Sequence, residues 1–154
     1  MNEKHQYLVF TLDEWQVALQ LSGVDRVVWA VAVTPLPEAP EIVPGVVNVQ
    51  GQIMPVVDLR RRFGLAGREI DPADRFIIVR TSRRTAALWV DAVDGIIAPA
   101  AEAVVRAEEI LPGMGYIEGV VRLPDGMILI HNLDRFLSME EDRILEQAME
   151  AEEE

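Results

Sequence analysis

The chain contains no cysteine. That excludes disulfides, thiolate metal sites and cysteine nucleophiles together, and it fits a reducing compartment. Long apolar runs are missing as well. The longest, Val27–Val33, has seven residues, against the roughly 20 that span a bilayer. The first residues, Met-Asn-Glu-Lys-His-Gln-Tyr, lack the basic-then-apolar layout of a secretory signal. These absences predict a cytoplasmic protein with no direct membrane insertion. Positive charge is scarce too, with a net charge of −12. Residues 139–154 hold eight acids against Arg143 alone, which leaves −5 for residues 1–138. An acidic body repels phosphate backbones, so nucleic acid is excluded as a partner. The run Arg60-Arg61-Arg62 is too short to reverse this and reads as the solvated face of a short helix.

Catalytic signatures are absent as well. His5 and His131 are far apart and show no metal-ligand spacing. His5 falls in a terminus expected to fray, and His131 in a structural position. Ser22, Ser82 and Ser138 lack the glycines of a nucleophile elbow, and no phosphate-binding glycine loop occurs. Asp91 and Asp94 read as turn residues before Gly95, since aspartate hydrogen-bonds its own turn. The expectation is a protein that is not an enzyme and has no cofactor and no metal.

What is present is a chain of 154 residues, half of them hydrophobic, long enough for one domain with a packed interior. Tyr7–Leu12 reads as a buried strand. Trp15–Leu21 alternates, with Trp15, Val17, Leu19 and Leu21 on the apolar face, so the two form a hairpin. Val24–Val33 is a further strand. Four prolines within residues 35–44 make a stiff surface loop. Gly45–Gln50 and Gln52–Asp58 form a second hairpin turning at Gly51. Asn48 is placed to hydrogen-bond that turn, and Asp58 to cap a helical turn over Leu59–Phe63 that Gly64 stops. Residues 64–74 are the best linker. Strands resume at Phe76–Thr81, Ala86–Val90, Ile96–Ala98, Ile117–Leu123 and Met127–Asn132. A C-terminal helix begins at the capping box of Ser138 and Glu141 and turns Ile144, Leu145, Ala148 and Met149 to the body. Of the tryptophans, Trp15 is expected in the core, Trp29 is undecided, and Trp89, out of phase with Leu88 and Val90, is expected exposed or facing the other lobe.

The chain also repeats itself. Residues 17–28 align without gaps on 86–97 at an offset of 69, with Ala, Leu, Val and Asp identical. Residues 45–59 align on 119–133 at an offset of 74, sharing Gly-Val-Val and the final Leu. Two blocks in the same order at nearly one offset imply a duplicated unit. The division expected is one domain over residues 1–138, with lobes of roughly 1–66 and 67–138, and an acidic helix and tail over 139–154.

The stretch Gly45-Val-Val-Asn-Val-Gln-Gly-Gln-Ile-Met-Pro-Val-Val-Asp-Leu-Arg60 resembles the signature of the CheW-like family, the coupling proteins of bacterial chemotaxis arrays. The first strand, the Val24-Asp-Arg-Val-Val28 segment, the Pro-rich loop, the block Trp89–Asp94 and the closing Ile117–Leu133 region follow in family order. The resemblance implies a mostly β fold of two intertwined five-stranded SH3-like barrels with short helices, and a non-catalytic scaffold. Its implied partners are the regulatory domain of a CheA-like histidine kinase and, near the groove between the lobes, the cytoplasmic tip of a chemoreceptor. The binding residues carried over are Val24, Arg26, Val28, Asn48, Val49, Gln50 and Gly51. Two positions depart from the family: Arg26 stands where an acid is usual and Gln50 where an arginine is usual. The elements bearing them are expected to be neighbours, so the exchange reads as a compensated change that tunes partner choice. Two alternatives stay open: the same fold in a motility or second-messenger pathway other than swimming, and an SH3-like peptide-binding module without a kinase.

Overall fold

A computed structural model describes residues 6–106 and 115–153 of the chain. Eleven strands fall into two sheets among these residues. In chain order they are β1 (Tyr7–Leu12), β2 (Trp15–Gln20), β3 (Val24–Trp29), β4 (Gly45–Val49), β5 (Gln52–Asp58), β6 (Arg75–Arg80), β7 (Thr85–Val90), β8 (Ala92–Ile97), β9 (Val104–Arg106), β10 (Ile117–Leu123) and β11 (Gly126–His131). Two helices are added, the four-residue α1 (Leu59–Arg62) and α2 (Met139–Glu153). Sheet I runs β8-β1-β2-β11-β10-β9 and sheet II runs β3-β6-β7-β5-β4.

The two sheets are the same sheet built twice. Tyr7 opposite Gln20 in sheet I corresponds, at the offset of 69, to Phe76 opposite Trp89 in sheet II. The parallel pair Ile130 and Ala18 corresponds to Val56 and Ala87. Gly119 opposite Ile130 corresponds to Gly45 opposite Val56. The third strand of each unit is exchanged. β3 leaves β2 and pairs with β6 in sheet II, while β8 leaves β7 and pairs with β1 in sheet I. Even the irregularity is repeated. Each exchanged strand carries one bulge, which skips Asp25 between Val24 and Arg26 and Asp94 between Val93 and Gly95. The recurring Val-Asp pair therefore marks the bend that carries the chain from one sheet to the other.

This exchange corrects the expected division at residue 66. Sheet II takes strands from residues 24–90, and sheet I takes the strands on either side of them. The lobes are thus interleaved in sequence. They are also not closed barrels: sheet I has six strands because β9 is added, and in each sheet the edge strands do not pair with one another.

Alternation on the strands yields three main cores, beside a small cluster of Ile117, Val120 and Leu129. Val47, Met54, Val56, Phe76, Ile78 and Ala87 fill sheet II together with Val28. Their counterparts Val121, Ile128, Ile130, Tyr7, Val9 and Ala18 fill sheet I together with Ile97. Because Val28 on one edge strand joins Val47 on the other, each sheet curls around its own filling. The opposite faces meet in a central core containing Leu8, Phe10, Val17 and Leu19 from sheet I and Ile77, Val79, Ala86 and Leu88 from sheet II. Burying each such large side chain is worth about 1.5–3 kcal/mol, so the lobes are held together by an interior as apolar as their own. Leu36, Ile42 and Val43 of the Pro-rich loop and Leu145 and Ala148 of α2 enter the central core as well. The loop is thus not merely a surface feature. Ser138 and Glu141 form the reciprocal cap of α2, with nitrogen–oxygen distances of 3.0 and 2.8 Å.

Candidate protein-binding surfaces

The seven sequence-derived candidates lie on two elements at opposite edges of sheet II, β3 and the β4–β5 hairpin. On β3, burial alternates. Val24, Arg26 and Val28 are the half-buried set, and Asp25, Val27 and Trp29 are exposed. The register explains which way each set points. Val28 lies opposite Phe76 and Arg26 opposite Ile78, both in the sheet II filling, whereas Val27 lies opposite Ile77 of the central core. The candidates on β3 therefore face inward, and the surface of this strand is made by Val27 and Trp29. Both phases of the strand carry apolar residues, so alternation alone does not decide between them.

On the hairpin, Asn48, Gln50 and Gly51 are exposed, while Val49 is buried in the sheet II filling. The Asn48 side-chain oxygen accepts from the Gly51 backbone N–H at 2.8 Å. Gln50 and Gly51 both have positive φ, 52° and 89°, the signature of a two-residue turn that follows strand twist. Arg26 donates from Nη1 to Asp25 Oδ2 at 3.1 Å, and its Nε is buried without a partner. No Arg26–Gln50 hydrogen bond occurs among the described residues, and the charged partner of Arg26 is Asp25, inside the β3 bulge.

Exposed apolar side chains mark further surface. Val27 and Ile53 on sheet II and Ile96 and Met127 on sheet I are all exposed, and under the repeat they form two corresponding pairs, Val27 with Ile96 and Ile53 with Met127. Ile96 lies opposite Leu8, and Val27 opposite Ile77. Both therefore sit on the interlobe side of their sheets. Trp29 is 60% exposed and Arg75 lies over it, with the guanidinium carbon 3.2 Å from the ring centre.

A further set of charged residues ties separate segments of the chain together. Arg60 is 3% exposed and bonds Asp13 on the β1–β2 turn and Asp91 at the β7–β8 junction, the latter at 2.7 Å. Arg68 holds Asp74 bidentately at 2.8 Å and reaches Asp91 at 2.7 Å. Asp74 also accepts from the Trp89 indole at 2.9 Å. Burial pushes the Asp74 carboxyl upward, but the bonds from Arg68, the Asp71 backbone and Trp89 outweigh it and hold it below the usual carboxylate range. Arg62 donates to the Phe136 carbonyl and to Glu141, and Arg83 and Arg84 both bond Asp142. Arg60 and Arg62 are thus ties rather than a solvated face, and only Arg61 is half exposed. Trp15 is 39% exposed, against its expected place in the core, and Trp89 is 4% exposed and packs into the sheet II filling, so it is neither exposed nor turned to the other lobe. Trp89 is drawn in by its bond to Asp74, and Trp15 lies tilted against Phe63 with ring centres 6.1 Å apart. Sequence reasoning missed this network because most of its partners, such as Arg60 with Asp13 and Asp91, are distant in the chain. Its one local signal is Asp58, whose Oδ1 caps α1 by accepting from the Arg60 N–H at 3.1 Å.

His131 is fully buried. Its Nδ1 lies 2.9 Å from the Asn132 carbonyl, its Nε2 has no partner, and its ring stacks on Phe136 at 4.2 Å. Burial, aided by the Arg62 charge, pushes its pKa down to about 4, so the ring is neutral. Asp94 accepts from the Thr11 hydroxyl at 2.7 Å, and Asp91 is consumed by Arg60, Arg68 and the Asp13 N–H. These carboxylates hold structure. No three His, Asp or Glu side chains converge as metal ligands among the described residues.

Comparison with known proteins agrees with this geometry. The family model described as the CheW-like domain matches residues 6–141. A protein named chemotaxis protein CheW from Treponema pallidum is 27% identical over 146 residues, covering 91% of this chain and 86% of its own. Another of that name, from Klebsiella aerogenes, is 27% identical over 138 residues, covering 88% and 83%. The crystal structure of scaffolding protein TtCheW from Thermoanaerobacter tengcongensis superposes with a TM-score of 0.80 at 32% identity, covering 90% of this chain and 95% of that one.

Proposed function

The chain belongs to the CheW-like domain family, and from that premise we propose that it is a non-catalytic scaffold in chemotaxis signalling. It holds the regulatory domain of a CheA-like histidine kinase and the cytoplasmic tip of a chemoreceptor in register. Its mechanism is geometric: binding both raises the concentration of each for the other and couples receptor state to kinase state through fixed placement. The protein works in the cytoplasm, at receptor arrays, through these partners.

The observation that carries the reading is the paired exposure of apolar residues. Val27 and Ile96 on one side, and Ile53 and Met127 on the hairpins, stay exposed at corresponding positions of the two lobes. A monomer gains nothing from this, whereas two like docking patches suit a protein that is gripped at both lobes. The hairpin tip Asn48, Gln50 and Gly51 and the edge strand bearing Val24, Arg26 and Val28 contribute the surface around the sheet II patch, with Val49 as its buried support.

Titrating the full chain with the regulatory domain of a histidine kinase from the same genome tests this. Saturable binding that Ile53→Ser or Gln50→Ala weakens is the expected result. Absence of binding to every such kinase would remove the coupling role and favour a peptide-binding module. A second reading, the same scaffold in a pathway other than swimming, is supported by one relative of a different name: protein FrzA of Myxococcus xanthus is 27% identical over 93 residues.

A further inference from the structure

Trp29 and Arg75 are directly opposite each other on β3 and β6. Their side chains rise on the interlobe side of sheet II, as those of Val27 and Ile77 do. Trp29 is 60% exposed, and Val27 and Val31 beside it in sequence are 36% and 47% exposed. Arg75 lies flat on the indole and donates once, from Nη1 to the Ala73 carbonyl at 2.6 Å. It has no carboxylate partner among the described residues, in a chain with a net charge of −12. Most of its guanidinium donors therefore face outward from a fixed platform. A stacked guanidinium is a preorganised fork for a carboxylate, and little rotamer freedom is left to lose on binding.

The fold does not require this arrangement. At the corresponding positions of sheet I, Trp29 is replaced by Ala98 and Arg75 by Gln6, and the ladder there stops one step earlier, at Tyr7 opposite Ile97. The stack is thus an addition to one lobe. Tryptophan and arginine are also the residues that most often dominate the energetics of an interface.

We infer that Trp29 and Arg75 form the anchor by which the interlobe side of sheet II selects its receptor partner, an apolar protein face that carries a carboxylate beside it. This rests on the coupling reading above. Trp29 and Val27 take the apolar surface, and the free edge of Arg75 takes the carboxylate in a charge-assisted pair. The partner's acid is what the anchor recognises. A receptor segment without it binds less well to this lobe.

The test uses the full chain and its Trp29→Ala, Trp29→Phe, Arg75→Lys and Arg75→Glu variants. Each is titrated with the soluble cytoplasmic segment of a chemoreceptor from the same genome and, separately, with the kinase regulatory domain. Trp29→Ala and Arg75→Glu should each weaken receptor binding by about tenfold or more, with Trp29→Phe and Arg75→Lys between them and wild type. Kinase affinity should change less than about twofold, and added salt should weaken wild type more than Arg75→Glu. Both positions are at the surface, so thermal midpoints should stay near wild type. Were Trp29→Ala to misfold, Trp29→Phe and Arg75→Glu would still decide the matter. Receptor binding unchanged in Trp29→Ala and Arg75→Glu would overturn the anchor and leave the coupling role intact. Loss of kinase binding alone would overturn the choice of partner. Wild type that binds neither protein would overturn the coupling role itself.

Discussion

Sheet I and sheet II share strand order, register and bulge, yet they finish their edges differently. In sheet I, β9 pairs with β10 over Val104–Arg106. In sheet II the corresponding contact shrinks to one bridge between Thr34 and Val46, because Pro35 follows and has no N–H to continue a ladder. Both hairpin tips are exposed, and the one in sheet II carries the candidate residues Asn48, Gln50 and Gly51. The comparison separates two kinds of position. Those that agree in both lobes, such as Ala18 and Ala87 or Asp25 and Asp94, answer to the fold. Those that differ, such as Trp29 against Ala98, Gln50 against Pro124 and His131 against Val57, are free to answer to something else.

The sharpest way to break that equivalence is at the shared Gly-Val-Val. A Cβ on Gly45 would lie 2.0 Å from the Thr34 carbonyl oxygen, and one on Gly119 would lie 3.2 Å from the Val105 oxygen. Both glycines exist to let the edge segment cross, but only sheet II has no room to give. Gly45→Ala should cost about 4 kcal/mol or prevent folding, and Gly119→Ala about 1 kcal/mol. Urea unfolding of both variants checks this, and equal losses would show that the two crossings are equally tight.

His131 replaces Val57 of the other lobe, and its effect should appear as pH dependence. Its folded pKa of about 4 lies below the ordinary 6.5, so the unfolded chain binds the proton first as pH falls. The stability this residue withholds is therefore lost between pH 6.5 and 4, by up to about 3 kcal/mol. His131→Val restores the residue of the other lobe and should remove that slope. The difference between the two pH profiles isolates the residue from the carboxylates that titrate nearby. Parallel profiles would mean that the buried ring can take up its proton.

Arg60 is matched by Asp134 in the other unit, although both are approached by the same device. The Asp58 oxygen accepts from the Arg60 N–H, and the Asn132 oxygen accepts from the Asp134 N–H at 2.9 Å. The local turn is thus duplicated and the tie is not. Arg60→Met leaves Asp13 and Asp91 without their shared guanidinium and should cost about 2 kcal/mol, less than the roughly 3–5 kcal/mol of a fully buried pair because both carboxylates are partly exposed. A double-mutant cycle with Asp91→Asn should show strong coupling, and independent losses would dissolve the proposed tie between lobes.

Local features were legible in the sequence where their cause is local. The bounds of β1 and β5, the Ser138–Glu141 cap and the Asn48 turn follow from alternation and short-range hydrogen bonding, and the repeat pointed to two like units. The exchange of β3 and β8 was not legible, since an offset of 69 fits both a simple tandem pair and an interleaved one. Long-range partners decided the rest. Asp74 draws Trp89 inward, Asp13 and Asp91 bury Arg60, and Glu141 holds Arg62, none of which leaves a trace in spacing. At the candidate surface, the residue types were read and the face was not. Val24, Arg26 and Val28 and the set Asp25, Val27 and Trp29 alternate along one strand with comparable apolar content, and only the register against β6 shows which set faces outward.

The smallest expected effect lies at the hairpin tips, where the lobes use different turns. Pro124 and Asp125 close β10 and β11 in sheet I, whereas Gln50 and Gly51 adopt positive φ in sheet II. A left-handed conformation costs an ordinary residue of order 1 kcal/mol, which glycine avoids. Gln50→Gly should therefore stabilise the protein, by about 0.5 kcal/mol once the added freedom of the unfolded chain is set against the relief. If the glutamine side chain serves a partner, the same variant should bind the kinase regulatory domain less tightly while unfolding at higher denaturant. Opposite signs in the two measurements would assign the strain at Gln50 to binding. A gain in stability with unchanged affinity would leave the tip as a tolerated imperfection of the fold, and would put the burden of recognition on Val27, Ile53 and their neighbours.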